Sequence, residues 1–169
     1  MNNLASFSSI GFSGSRQLSG VDWEHCRSLA ASAVKNKSTV LVGCAVGADA
    51  TARAGAGDAA IIFSAESRYP PALVGRSIRF VRTLAVAPSP CLISFPVKPC
   101  AAHCVPAPDW ISSGSGSWSS AALAANLQLP IFVFLPDNVS PPALWGTWLP
   151  ILSGDLVGAW FFAPTTTPS

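Results

Sequence analysis

Short, almost continuously apolar runs alternate with longer segments of helical periodicity along this chain. Runs of this kind are typical of strands that are buried on both faces, as in a parallel sheet covered by helices. They occupy residues 8–13, 38–43, 59–63, 90–95 and 130–135. The alternation predicts a three-layer, Rossmann-like α/β sandwich with a mainly parallel sheet of about five or more strands.

Helical segments fill the gaps between these runs. Asp22 is placed to cap a first helix over residues 22–36, in which apolar side chains recur at the spacing of one helix face. A second helix is predicted to begin near Gly47, and the pair Pro70–Pro71 is a start signal for a third. A fourth is predicted over residues 117–128.

The pattern divides the chain into a domain and an arm. Residues 1–139 are predicted to form one α/β domain, and residues 140–169 a tryptophan-rich arm that packs on the domain or on a partner. The arm contains Trp145, Trp148 and Trp160. If all three indoles were exposed they would form a hydrophobic surface patch, so we expect at least one of them in the core or in an interface. This favours a homodimer or a larger homo-oligomer.

Composition narrows the class of protein. Of 169 residues, 50% are hydrophobic and only 11% charged, with a formal net charge of +2, which argues for one compact domain and against nucleic-acid binding by bulk charge. No apolar run reaches the roughly 18 residues that a membrane span needs, and the N-terminus lacks the pattern of a secretory signal. We therefore expect a cytoplasmic protein without membrane contact. Five irregularly placed cysteines favour free thiols.

Three glycine- and serine-rich turns follow predicted strands: GFSGSR at 11–16, GCAVGADA at 43–50 and SSGSGSWSSA at 112–121. The carboxyl ends of parallel strands share one edge of a sheet, so we expect these turns to meet there. Helix N-termini after such turns offer free amides and a positive dipole end, which suit a phosphate. The GxGxxG and GxxxxGK[ST] motifs are both lacking, so NAD or ATP in those modes is disfavoured and no cofactor is expected.

Arginines are the candidate partners for an anion. Arg16 ends the first turn, where a guanidinium could fork onto phosphate, although a plain surface turn is the alternative interpretation. Arg68, Arg76, Arg79 and Arg82 fall close together and could form a local anion site or a solvated helix face.

The cysteines predict neither a metal site nor a nucleophile. Cys100, His103 and Cys104 bring zinc-type ligands together, but their spacing matches no standard pair of zinc knuckles. No metal is therefore expected. Cys44 lies in the second turn without a histidine near it in sequence, and a small-residue role is favoured.

A long loop precedes the third turn. Residues 97–117 are rich in proline, serine and glycine and are interpreted as a functional loop or lid. Trp110 and Trp118 flank its end and could stack on a base or pack the lid.

In order and spacing, the three turns resemble those of the SLOG superfamily. These are Rossmann-like domains shared by the DNA-processing protein of natural transformation and the lonely-guy nucleotide phosphoribohydrolases. GFSGSR, VLVGCAVGADATARA, RSIRFVRTLA and GSGSWSSAALAANLQLPIFVF carry the resemblance, which covers residues 8–135. The chain is most similar to the small stand-alone members.

The resemblance implies a nucleotide-like ligand held across the turns by phosphate, ribose and close backbone contacts. Asp49 would cap its helix or meet a ribose hydroxyl, and either Arg79 or Arg82 would match the family's arginine. The implied ligand-binding residues are Gly14, Ser15, Arg16, Gly43, Gly47, Asp49, Arg79, Arg82, Gly114, Gly116, Ser117 and Ser119.

One departure from the family bears on catalysis. The phosphoribohydrolases carry a glutamate after their glycine-rich turn, where this chain has Ser119, Ser120 and Ala121. Without that carboxylate the glycosidic chemistry lacks its acid, base or charge-stabilising group, and Glu66 lies on a different segment. We therefore expect a nucleotide sensor or binding module. The alternatives are a hydrolase acting on an N-glycosidic or phosphoester bond through Glu66 or an aspartate in an unfamiliar geometry, and a module that binds single-stranded DNA through Arg16 and the arginines at 76, 79 and 82.

Overall fold

The computed structural model describes residues 3–18 and 20–163. Within these ranges a seven-stranded sheet lies between two pairs of helices. The strands are β1 (Ser9–Gly14), β2 (Thr39–Gly43), β3 (Ala60–Phe63), β4 (Pro90–Phe95), β5 (Ile131–Val133), β6 (Trp148–Pro150) and β7 (Trp160–Phe162). The helices are α1 (Gly20–Lys35), α2 (Ala48–Ala56), α3 (Pro70–Ala85) and α4 (Gly116–Asn126). Single 3₁₀ turns occur at Leu4–Ser6, Gly57–Ala59 and Ala143–Trp145.

The sheet has the strand order β3-β2-β1-β4-β5-β7-β6. The first five strands, β1 to β5, pair in parallel. β7 pairs with β5 on one side and with β6 on the other, both times in antiparallel orientation. The chain builds outward from β1 to β3 and then returns to the other side of β1 with β4. The crevice between the ends of β1 and β4 is therefore the topological switch point, where α/β sheets bind ligands. The prediction of a mainly parallel, Rossmann-like α/β fold is confirmed.

Two apolar layers hold the helices against the sheet. Alternate residues of each central strand point to opposite faces: Ile10 and Phe12 join the layer under α1 and α2, whereas Leu41 and Leu92 join the layer under α3 and α4. Full burial of side chains of this size stabilises the fold by about 1.5–3 kcal/mol each. Both faces of the strands are thus apolar, which explains the continuous apolar runs in the sequence.

Gly11 in β1 permits the close approach of α3. A Cβ at this position would collide with the Leu84 side chain and lie 3.0 Å from the Phe80 ring. The missing side chain therefore lets the helix pack directly on the central strand.

The helix boundaries follow the predicted signals with one correction. α1 begins at Gly20, so Asp22 lies within the first turn instead of capping it. A carboxylate there still interacts favourably with the positive end of the helix dipole. Gly47 directly precedes α2, and α3 begins at Pro70 as its proline pair indicates.

The C-terminal arm extends the sheet. The weak periodicity after residue 139 hides β6 and β7, because strands of three residues are too short to show alternation. Trp145 and Trp148 are buried, and their indole N–H groups donate to the carbonyls of Cys104 at 2.8 Å and Pro142 at 3.0 Å. These two indoles therefore form no exposed patch. The arm's last residues, 164–169, lie outside the described ranges, and none of the described helices has the length and apolarity to cross a membrane.

Candidate functional site

A cavity of about 370 Å³ opens at the carboxyl edge of the sheet, where the chain leaves β1, β2 and the loop before α4. All three glycine- and serine-rich turns contribute to its wall. The predicted site residues that line it are Gly14, Ser15, Arg16, Gly43, Asp49, Gly114, Gly116 and Ser117.

The first turn is fixed by backbone contacts that only glycine allows. Gly14 has a φ of +154°, and a Cβ there would lie 2.7 Å from the Ala48 Cβ and 2.8 Å from the Phe95 carbonyl oxygen. The Ser15 N–H donates to that same carbonyl at 3.0 Å, and the Ser15 carbonyl accepts from the Ala48 N–H at 3.0 Å. The first turn thus joins the end of β4 to the start of α2 and holds Arg16 at the cavity.

The second turn packs against the first. Gly47 has a φ of +72°, and a Cβ there would collide with the Ser15 carbonyl and the Arg16 backbone. Gly47 therefore provides the contact between the two turns and does not itself line the cavity. Arg53, which the sequence pattern did not single out, donates from Nη1 to the carbonyls of Gly43 at 2.8 Å and Ala45 at 3.0 Å. Its side chain satisfies the carbonyls of the turn.

Asp49 is a buried carboxylate at the bottom of this wall. Its Oδ2 accepts from the Ala45 N–H at 3.1 Å, and a Cβ on Gly43 would collide with that same oxygen. Burial raises the pKa of Asp49, while the Ala45 hydrogen bond and the charges of Arg76, Arg53 and Arg16 act in the opposite direction. The sequence left Asp49 between a capping role and a ligand role, and its position supports its turn while it also faces the cavity.

The third turn forms the N-terminus of α4. The Ser115 Oγ caps the helix by accepting from the Trp118 N–H and also hydrogen-bonds the Ser117 Oγ at 3.0 Å. Gly116 and Ser117 lie in the first turn, where backbone N–H groups have no partner within the helix. Ser119 does not line the cavity, because it is buried and donates to the Ile111 carbonyl.

Arg76 is the arginine that α3 places at the cavity. Its guanidinium donates to the Cys44 Sγ at 3.3 Å and the Ser77 Oγ at 3.4 Å. Arg79 is exposed and donates to the Ser64 carbonyl at 2.9 Å, and Arg82 is exposed in the last turn of the helix. The residues of α3 that line the cavity are Arg76, Ser77 and Phe80, which lie on one side of the helix, whereas the Arg79 guanidinium is held at the Ser64 carbonyl. No local pattern distinguishes Arg76 from Arg79, because both belong to one arginine-rich stretch.

Cys44 lies beside this arginine and is only half-buried. Although burial raises the pKa of its thiol, hydrogen bonds from Arg76 and the Ala65 N–H, together with the Arg76 charge, give a net lowering. The Arg76 side chain thus contacts a thiol whose pKa lies below that of an ordinary cysteine.

Lys98 adds a cation that the sequence analysis missed. It lines the cavity, and its carbonyl accepts the Trp118 indole N–H at 2.8 Å. Trp118 is fully buried and is therefore unable to stack on a base, while Trp110 packs against the apolar layer under α3 and α4. The residues described as lining the cavity include one carboxylate, Asp49, and three cationic side chains, those of Arg16, Arg76 and Lys98. The cavity therefore has a positive balance of charge.

Other candidates lie away from this cavity. Glu66 is exposed on the loop between β3 and α3. The His103 Nε2 is 3.0 Å from the Ser112 carbonyl oxygen, and the Cys104 thiol donates to the Trp118 carbonyl at 3.6 Å. Among residues 3–18 and 20–163, no three His, Cys, Asp or Glu side chains are grouped so as to hold a metal ion.

Fold and site together define a Rossmann-like domain with a positively charged cavity at its topological switch point. No protein-family model and no curated protein matches the sequence. The fold is similar to that of DNA processing protein A from Helicobacter pylori, whose structure is described for its mode of binding single-stranded DNA. The similarity has a TM-score of 0.58 and 22% sequence identity, over 82% of this chain and 71% of that chain.

Proposed function

We propose that this protein binds a nucleotide or nucleotide derivative in the cavity between the three turns, as a sensor or binding module. The observation that carries the proposal is the convergence of Arg16, Arg76 and Lys98 on a cavity that also receives the N-terminus of α4. Its volume of about 370 Å³ falls in the range of small-molecule sites, roughly 300–1,000 Å³. An anion of nucleotide size suits both the charge and the volume.

The two ends of the cavity offer different chemistry. At α4, the first-turn amides and the Ser117 hydroxyl stand near Lys98, a combination that suits a phosphate. At the other wall Asp49 offers carboxylate oxygens, which accept hydrogen bonds from a ribose hydroxyl or a base amino group. We propose that the phosphate lies toward α4 and the nucleoside toward Asp49.

A binding role needs no reacting group, whereas a hydrolase needs one in the cavity. Glu66 does not line the cavity, and Asp49 is the carboxylate that the described wall provides. The hydrolase alternative would therefore have to use Asp49, whose Oδ2 is already held by the Ala45 N–H. Binding is accordingly the function we favour.

Single-stranded DNA is the second candidate ligand. It is supported by the fold likeness to DNA processing protein A, and by the turn sequences that resemble the SLOG superfamily. A phosphodiester could occupy the same cavity, and the exposed Arg79 and Arg82 on α3, with Arg68 on the loop before it, would extend the positive surface. In this case several phosphates would be neutralised at once, and the affinity would fall steeply with salt.

A thermal-shift screen followed by calorimetry separates the two candidates. The probes are nucleoside mono-, di- and triphosphates, ADP-ribose, NAD and a short oligothymidylate, because a ligand of the native state raises its melting temperature. A shift with one mononucleotide class that is lost in Arg16→Ala supports nucleotide binding. Binding of the oligonucleotide alone, with a steep salt dependence, supports the second candidate, and no shift with any probe contradicts both.

A further inference from the structure

The two ends of the sheet are protected to different degrees. At one end β6 finishes at Pro150, which has no N–H to offer a neighbouring strand. At the other end β3 carries neither a charge nor a proline, and its central residues Ile61 and Ile62 are 49% and 51% exposed. Natural edge strands are usually blunted by charges, prolines or a covering segment. Among the described residues none pairs with the outer side of β3.

We propose that β3 pairs with β3 of a second copy of this chain, in antiparallel orientation about a twofold axis. If the axis passes between the two copies of Ile61, each Ile61 lies opposite the partner's Ile61, and Ala60 lies opposite the partner's Ile62. Directly opposed residues of antiparallel strands share a face, so the two Ile61 side chains pack together on one face of the joined sheet, and each Ile62 packs on the partner's Ala60 on the other. The surface is self-complementary, as a twofold interface requires.

Charges on either side of β3 fit the same arrangement. Asp58 is exposed just before the strand, and Arg79 is held at the Ser64 carbonyl just after it. When this register is continued beyond the ends of the strand, Asp58 falls opposite the partner's Ser64, whose carbonyl holds Arg79. Because the axis is twofold, the approach of the Asp58 carboxylate to the partner's Arg79 guanidinium occurs twice in the dimer. This complementarity favours a second copy of the chain over an unrelated apolar segment.

The proposed interface is independent of the nucleotide site. None of the residues from Asp58 to Phe63 lines the cavity, so pairing at this edge leaves the cavity accessible. The interface also differs from the one that the arm suggested, since Trp145 and Trp148 are buried within the chain. A failure of nucleotide binding would therefore leave the dimer prediction standing, and the reverse also holds.

Sedimentation equilibrium of the full chain over a range of concentrations tests the proposal. We expect a reversible dimer, whose dissociation constant rises about tenfold or more in Ile62→Lys, because a lysine there would bring a charge into the paired strands, opposite the partner's Ala60. Leu149→Lys is the matched control, since Leu149 is 53% exposed on the opposite edge strand and should leave the dimer unchanged. Circular dichroism and thermal unfolding check that each variant is folded.

A charge exchange gives a second measurement that does not alter the strand. Asp58→Arg and Arg79→Asp should each weaken the dimer about threefold or more, as expected for loss and reversal of an exposed ion pair. The double variant should recover the affinity, because the partners are only exchanged. A protein that stays monomeric at high concentration overturns the proposal. So does a dimer that ignores Ile62→Lys, or one that the double exchange fails to restore.

Discussion

Replacing Arg76 with alanine should weaken nucleotide binding and leave the fold intact. Arg76 lines the cavity, and its hydrogen bonds within the chain go to the Cys44 Sγ at 3.3 Å, an ordinary distance for a sulfur acceptor, and to the Ser77 Oγ at 3.4 Å, which is long. A guanidinium carries five N–H donors, so donors remain free for an anion. Arg76→Ala therefore removes a binding group and gives up two partly buried internal hydrogen bonds.

The expected magnitude follows from these contacts. A hydrogen bond to a charged group contributes about 1.5–3 kcal/mol, so the dissociation constant for a nucleotide should rise roughly ten- to hundredfold. The two internal hydrogen bonds are only partly buried, so we expect the free energy of unfolding to fall by no more than about 2 kcal/mol. The loss of a neighbouring cation should also raise the pKa of Asp49 further.

Isothermal titration calorimetry measures the affinity, and urea unfolding measures the stability. Arg82→Ala is the matched control, because Arg82 lies on the same helix but is exposed at its far end. Its affinity should equal that of the unaltered protein. If Arg76→Ala binds as tightly as the parent chain, or if Arg82→Ala weakens binding equally, the reasoning from the cavity is refuted.

Three further predictions concern the second turn. In urea unfolding, Gly47→Ala should destabilise the protein well beyond Gly57→Ala. Both glycines have a positive φ, which strains an alanine by about 1–3 kcal/mol. Of the two, only Gly47 is so placed that a Cβ would collide with the backbone of another turn. Equal losses would contradict the proposed contact. Burial raises the pKa of Asp49, so its folded pKa lies above its unfolded one, and the stability it confers at low pH is lost as the pH rises from about 4. Asp49→Asn should therefore gain stability relative to the parent over this range, and a difference independent of pH would count against it. Cys44 should be alkylated faster near neutral pH than the other cysteines, whose pKa values burial raises, and Arg76→Ala should slow its reaction; peptide mass spectrometry follows both rates, and an unchanged rate would show that Arg76 does not activate the thiol.

The central part of the fold was predictable because burial leaves a direct trace in the sequence. The five apolar runs correspond to β1 through β5, and the starts of α2 and α3 follow their glycine and proline signals. The antiparallel pair β6 and β7 was missed, since three residues are too few to show a period. Asp22 was predicted as the cap of the first helix, but α1 starts at Gly20, so Asp22 lies inside its first turn.

The candidate site was predictable in its turns but not in its cations. Gly14, Ser15 and Arg16 line the cavity because a turn that follows a parallel strand must lie at the carboxyl edge of the sheet. The same rule does not predict which side chains of a helix that packs on the sheet, such as α3, reach the cavity. Arg76 is therefore at the cavity and Arg79 is not, although both belong to one arginine-rich stretch.

By itself, then, the sequence determined the class of fold, the order of its central elements and the edge of the sheet at which the three turns meet, because these depend on local periodicity and on the topology of parallel strands. Only the tertiary structure decided that Arg76 and Lys98 meet at the cavity. It also showed that the tryptophans of the arm are largely internal, and that β3 is the less protected edge of the sheet. These features depend on contacts between residues far apart in the chain, and no local pattern encodes the distance between two such side chains.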